Sequence, residues 1–177
     1  LPRILALPDE KDKKNYLSEL YNELYIKDIV ERNRVEREDI LNDILDYLAS
    51  QISSRTNPTN IANALSSMRK ENVNPTMVSN YIQHSMDSFL ISTAKRFDIK
   101  CKTYFNYPNK YYYTDLGLRN ARLNYRQYDP GHIMENIIYN ELLVRGYSVD
   151  VGVVSYTGKT SAGKRTTIHS EVDFVCN

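Results

Sequence analysis

"NPTNIANALSSMRKENVNPTMVSNYIQHSMDSFL", residues 57–90, carries one tripeptide twice, at Asn57-Pro58-Thr59 and at Asn74-Pro75-Thr76. Proline in the middle position removes the glycosylation reading of Asn-x-Thr. The structural reading is stronger. An asparagine side chain accepts the free amides of a first helical turn, and proline suits the first helical position, so each copy predicts a helix start. The first helix would bury Ile61, Ala62, Leu65 and Met68; the second would bury Val78, Tyr81, Ile82, Met86 and Phe89. Two short helices joined by "RKENV" have the form of a helix-turn-helix. On the second, Thr76, Ser79, Asn80, Gln83 and His84 lie off the apolar stripe. These are hydrogen-bonding types that reach base edges and phosphates from a recognition helix, although a solvated helix face uses the same residues.

Upstream, "DEKDKKNYLSELYNELYIKDIVERN" places Leu17, Leu20, Tyr21, Leu24 and Tyr25 at helical spacing, with acids early and Arg32 late. "EDILNDILDYLASQI" follows as a second amphipathic helix, with Ile40, Leu41, Ile44, Leu45, Leu48 and Ile52 on one stripe. Downstream, "FLISTAKRFDIK" and "KYYYTDLGL" are apolar or aromatic runs separated by a basic segment, which predicts a β-hairpin. A helix-turn-helix followed by a hairpin is a winged helix. Its wing would carry Lys95, Arg96, Lys100 and Lys102, where phosphate neutralisation is useful. The tyrosines and phenylalanine of 104–113 suit either stacking on bases or packing a small sheet.

Composition sets the limits. With 177 residues, 41% hydrophobic and 25% charged, the chain is long enough for one ordinary domain or two small ones. No run approaches the roughly 18 to 20 apolar residues of a membrane span, and "LPRILALPDE" is too broken by Pro2, Arg3 and Pro8 for a signal peptide. That opening reads as a cut from a longer chain. Cys101 and Cys176 are too few for a disulfide framework and lack zinc-site pairing, so a reducing cytoplasm is the expected compartment. A net charge of +1 hides a segment from Ser92 to Tyr128 with eight basic residues against two acidic ones. Such a stripe suits a polyanion, and double-stranded DNA is the expected partner.

The last third changes character. "DPGHIMENIIYNELLVRGY" predicts a helix ending at Gly146, "YSVDVGVVSY" a strand, and "IHSEVDFVC" a second strand. The intervening Gly158-Lys159-Thr160-Ser161-Ala162-Gly163-Lys164-Arg165 nearly spells a phosphate-binding loop. Arg165 stands where the magnesium-binding hydroxyl belongs, and a strand follows where a helix is required, so the segment reads as a hairpin tip. On the final strand, Val172, Phe174 and Cys176 alternate with His169, Glu171 and Asp173, predicting a core face and an acidic face. Glu135 on the preceding helix and Asp173 on this strand are two carboxylates that a helix packed on a sheet could bring together, a set suited to Mg²⁺.

The segments "YLSELYNELYIKDIVERN", "VSNYIQHSMDSFLI", "KYYYTDLGLRNA", "GHIMENIIYNELLVRGY" with "VDVG", and "EVDFV" resemble, in this order, a family of bacterial and archaeal AAA-type ATPases. Those proteins carry a C-terminal domain of unknown function, a winged helix followed by a restriction-endonuclease-like (PD-(D/E)xK) module. The resemblance implies an ATPase domain upstream of this chain, which alone would bind ATP. It also implies a nuclease-like site in which Glu135 and Asp173 hold Mg²⁺. The acid-x-Lys pair of the next strand has no match before Asn177, so the resemblance implies an incomplete, inactive site in this fragment. The sequence thus predicts an α+β chain with two parts. Residues 1–126 form a helical part with a winged helix-turn-helix, and 127–177 a truncated α/β nuclease-like half-domain. Two functions follow. One is a DNA-binding module joined to a nuclease-like core. The other is a protein-interaction or regulatory module that docks on its own ATPase domain or an oligomeric partner and retains a degenerate nuclease fold.

Overall fold

The computed structural model describes residues 2–159 and 165–177, with all of their side chains except those of Pro2, Leu24, Tyr107 and Lys159. The chain runs through α1 (Pro2–Leu5), α2 (Glu10–Leu20), a π-helical turn (Tyr21–Ile26), α3 (Lys27–Asn33), α4 (Glu38–Ser50), β1 (Arg55–Thr56), α5 (Pro58–Arg69) and α6 (Pro75–Asp87). It continues through β2 (Ile91–Asp98), β3 (Thr103–Tyr113), α7 (Leu116–Arg122), α8 (Pro130–Val144), β4 (Val149–Lys159) and β5 (Arg165–Cys176). It is a mixed α+β architecture around one sheet of order β1-β3-β2-β4-β5.

Local chemistry sets the helix ends around residues 57–90. Asn57 Oδ1 accepts from the Asn60 amide at 2.7 Å, Asn74 Oδ1 accepts from the Thr76 amide at 2.8 Å, and Pro58 and Pro75 begin the helices. Each cap satisfies an amide that the helix itself leaves free. Asn57→Ala and Asn74→Ala are therefore each expected to cost about 1 kcal/mol. Urea unfolding should show a lower midpoint with an unchanged slope, and an unchanged midpoint in either variant would mean that its cap adds nothing.

The main core is helical. Ile40, Leu41, Ile44, Leu45 and Leu48 of α4 meet Ile61, Ala62 and Leu65 of α5 and Val78 and Ile82 of α6. Each buried Ile, Leu or Val of this set adds roughly 1.5 to 3 kcal/mol of transfer free energy. Met68 and Phe89, expected inside, are 75% and 79% exposed. Met68 lies in the last turn of α5, and Phe89 follows the end of α6 with φ 59, a left-handed conformation that ends the helix and turns the ring outward.

Strand β3 divides two cores by alternation. Tyr111 and Tyr113 join the helical core. Tyr112 joins the opposite one, where Ala94, Val149 and Val151 of the sheet meet Tyr139 of α8, with Leu142 and Phe174 packed alongside. The Tyr112 and Tyr139 rings stack at 3.9 Å between centroids. The run "KYYYTDLGL" is not all strand. Asp115 accepts from the amides of Gly117 and Leu118 and starts α7, so β3 stops at Tyr113.

The sheet is continuous across residue 126. β2 pairs antiparallel with β3 and parallel with β4, and β4 pairs antiparallel with β5 up to Lys159 and Arg165. Residues 160–164, most of the near-miss phosphate loop, lie outside the described residues, and a strand begins directly after them. The predicted alternation on β5 fails at one place. Asp150 pairs with Val175 and Gly152 with Val172, so β5 carries an extra residue there. This bulge breaks the period of two. Phe174 lies 6.5 Å from the Tyr139 ring on the α8 side, whereas Val172 and Val175 flank Gly152 beside Ile99. Cys176 is exposed. Val172, Phe174 and Cys176 therefore do not share one core face.

Candidate functional site

On the α8 side of the sheet, three strands and one helix bring charged groups to one point. Lys110 of β3, directly before the three tyrosines 111–113, is only 4% exposed. Its Nζ lies 2.8 Å from Glu135 Oε1 of α8, 2.8 Å from Glu171 Oε1 and 3.2 Å from Asp173 Oδ1 of β5. Tyr112 donates its hydroxyl to Glu135 Oε1 at 2.8 Å, and Arg55 of β1 holds the other oxygen of Glu171 at 3.0 Å. The balance is two cations against three carboxylates.

Electrostatics follow from this geometry. Burial disfavours the Lys110 ammonium, but hydrogen bonds and charge from Glu135 and Glu171 outweigh it and hold the pKa above the ordinary lysine value. Burial, reinforced by the Glu135 carboxylate, pushes the Tyr112 phenol up, so it stays a neutral donor.

Glu135 and Asp173, the two predicted metal ligands, both reach this point, but an ammonium stands between them. Glu135 is mostly enclosed and Asp173 is 64% exposed. Among the described residues no group of three or more His, Cys, Asp or Glu has an arrangement that holds a metal. The carboxylates are satisfied by Lys110, Tyr112 and Arg55, and in this arrangement the site does not fit Mg²⁺. His169 takes no part: its Nδ1 pairs with Ser155 Oγ at 2.8 Å on the exposed β4–β5 ladder.

Sequence reading misses Lys110, Tyr112 and Arg55. A signal existed for the first two. Along "NKYYYT", residues 110 and 112 share a face, and a lysine inside an aromatic strand needs a buried partner.

The residues predicted to touch nucleic acid gather in part. A groove of about 370 Å³ runs between α6 and the β2–β3 hairpin, lined by Ser79 and Gln83 from α6 and by Lys95, Tyr104 and Phe105 from the hairpin. Thr76 and Asn80 are exposed on α6 outside this groove. Gln83 donates to Asp87 at 2.8 Å, and His84 leans on the Tyr81 ring at 6.2 Å. Lys95 is exposed and has no ion pair among the described residues. Arg96 is half-buried, with its guanidinium 5.0 Å from the Phe105 centroid. Lys100 and Lys102 are exposed at the β2–β3 turn, which Asp98 fixes by accepting from the amides of Lys100 and Cys101.

The basic stripe from Ser92 to Tyr128 is less of a surface than its count suggests. Lys110 is enclosed by carboxylates. Arg119 is buried and donates to the carbonyls of Ala49 and Gln127, and Arg122 binds Asp46. Those three bases serve the interior.

Fold and site together define a mixed α+β domain with a helical unit on one sheet face and a lysine-centred carboxylate cluster on the other. The chain belongs to the family described as Domain of unknown function (DUF8612), whose model matches residues 1–129. It is 35% identical over 148 residues to an uncharacterized protein of Haemophilus influenzae, covering 84% of this chain and 37% of that protein. It is 30% identical over 150 residues to an uncharacterized protein of Methanocaldococcus jannaschii, covering 82% of this chain and 32% of that protein. The match thus spans about a third of each relative. No solved structure matches the chain. Among the described residues, no helix is long and apolar enough to cross a membrane.

Proposed function

We propose that this chain is a duplex-DNA-binding module of winged-helix type, joined through a shared sheet to a nuclease-like half-domain. The observation that carries this reading is the order α4, β1, α5, α6, β2, β3 with strands arranged β1-β3-β2, the connectivity of a helix-turn-helix with a wing. It leaves the polar side of α6 beside Lys95, with Lys100 and Lys102 on the neighbouring turn. α6 would supply hydrogen bonds to base edges, and the three lysines would neutralise phosphates. The relatives' greater length leaves room for the upstream ATPase domain that the resemblance implies, and this domain is the proposed covalent partner.

Duplex binding measured against salt tests the reading. Lys95→Ala/Lys100→Ala/Lys102→Ala is expected to weaken binding about tenfold or more at low salt and to lower the log–log salt slope by about 2 to 3. Arg96 is left in place because its cation supports Phe105. A variant that binds as well as wild type, or a wild type that binds no duplex at low salt, ends the proposal.

Two observations favour a second reading, an interaction or regulatory module with a degenerate nuclease fold. The Lys110 ammonium occupies the place between Glu135 and Asp173, and α8 leaves Met134, Ile137, Ile138 and Val144 exposed. Mg²⁺-dependent cleavage by the longer parent protein that Glu135→Ala and Asp173→Ala abolish would exclude this reading.

A further inference from the structure

The groove between α6 and the β2–β3 hairpin contains a buried polar group that duplex docking does not use. Asn109, on the irregular part of β3, is 8% exposed, and its Oδ1 has no hydrogen-bond partner among the described residues. It lines the groove together with Ser79, Gln83, Lys95, Tyr104 and Phe105. A buried acceptor without a partner is rare in native proteins and calls for a donor from outside. The groove's other features narrow what that donor belongs to. Tyr104 is 53% exposed and offers aromatic surface, and Lys95 offers a cation at an exposed position. A planar molecule with an N–H on its edge, a π-face and an attached anion matches all three.

We propose that this groove is a nucleotide site. The base edge donates an N–H to Asn109 Oδ1, the base rests against Tyr104, and the phosphate pairs with Lys95 Nζ. The nucleotide is either free or an unpaired residue of a strand, and only the second source rests on the DNA-binding reading.

The test uses the 177-residue chain and two probes. One is calorimetric titration with AMP, GMP, CMP and TMP. The other is the fluorescence of a duplex carrying a single unpaired 2-aminopurine. Saturable binding of at least one mononucleotide, weakened about tenfold in Asn109→Leu and in Lys95→Ala, supports a free nucleotide. A fluorescence change on binding that is absent with Asn109→Leu supports an unpaired nucleotide. Leucine replaces the orphan acceptor by an apolar side chain of similar size, so its thermal midpoint is expected to hold. Should that variant fold poorly, the exposed Lys95→Ala carries the mononucleotide test and Tyr104→Ala the fluorescence test. If wild type binds a fully paired duplex yet gives neither signal, the nucleotide site is overturned and the DNA-binding reading stands. If it binds neither mononucleotide nor any DNA, both are overturned.

Discussion

Lys110→Met is expected to lower the unfolding free energy by roughly 3 kcal/mol at neutral pH, because removing one member of an enclosed charge cluster leaves its partners desolvated and unpaired. Methionine keeps the apolar stem, so the loss isolates the charge. The figure sits at the low end for buried pairs because water reaches Glu171 and Asp173. Glu135 is left with the Tyr112 hydroxyl, and Glu171 with Arg55. The pH dependence follows from the raised pKa of Lys110. A base whose folded pKa lies above its unfolded value gives its full stabilisation below the unfolded value, near ~10.4, and loses it as pH rises through the folded value.

Tyr21, pushed up to about 12 mainly by burial, and Tyr113, pushed well up by burial, act in the same direction, since neutral phenols held in the fold oppose the ionisation that the unfolded chain undergoes. Wild type and variant should both weaken in alkali. The gap between them should narrow above ~10.4. Urea unfolding at pH 7, 9 and 11 measures that gap, and a gap that stays constant would assign the loss to packing rather than charge.

Asn136→Leu is expected to cost about 2 kcal/mol, the penalty for stranding one buried backbone donor. Asn136 is fully buried in α8; its Oδ1 accepts from the Tyr113 amide at 2.8 Å and its Nδ2 donates to the Tyr113 carbonyl at 2.8 Å. β1 pairs with β3 only at Asn109 and Lys110, so at Tyr113 the asparagine amide takes the place of a neighbouring strand. The leucine leaves the amide of Tyr113 without a partner, while Asn140 Nδ2 still donates to its carbonyl at 2.9 Å. Asn140→Ala should therefore cost well under half as much as Asn136→Leu. Equal losses in the two variants would contradict the surrogate-strand role, and exchange of the Tyr113 amide should accelerate only in Asn136→Leu.

Much of the architecture is legible because its causes are local. The two Asn-Pro-Thr copies mark helix starts through short-range hydrogen bonds and a fixed proline dihedral, and the stripe on α4 marks a buried face by period alone. The π-helical turn is another matter, since "YNELYI" reads as uninterrupted helix, while in the fold the turn opens at Tyr21, a residue buried in the helical core. β1 is too short for any periodic signal. The break in alternation at Asp173 and Phe174 depends on the register with β4, which the strand's own residues do not encode.

The candidate site divides in the same way. Glu135 and Asp173 stand out as acids on apolar elements, and spacing alone is compatible with their meeting. That a lysine lies between them depends on β3 passing under α8 and beside β2, a contact between residues far apart in sequence. By itself the sequence determined the helix starts, the apolar stripes and the positions of the acids, because hydrogen bonding and hydrophobic period act within a few residues. Only the tertiary structure decided which cation those acids meet and which of the basic residues stay in solvent, because desolvation and Coulomb energy depend on distances between chain segments, not along them.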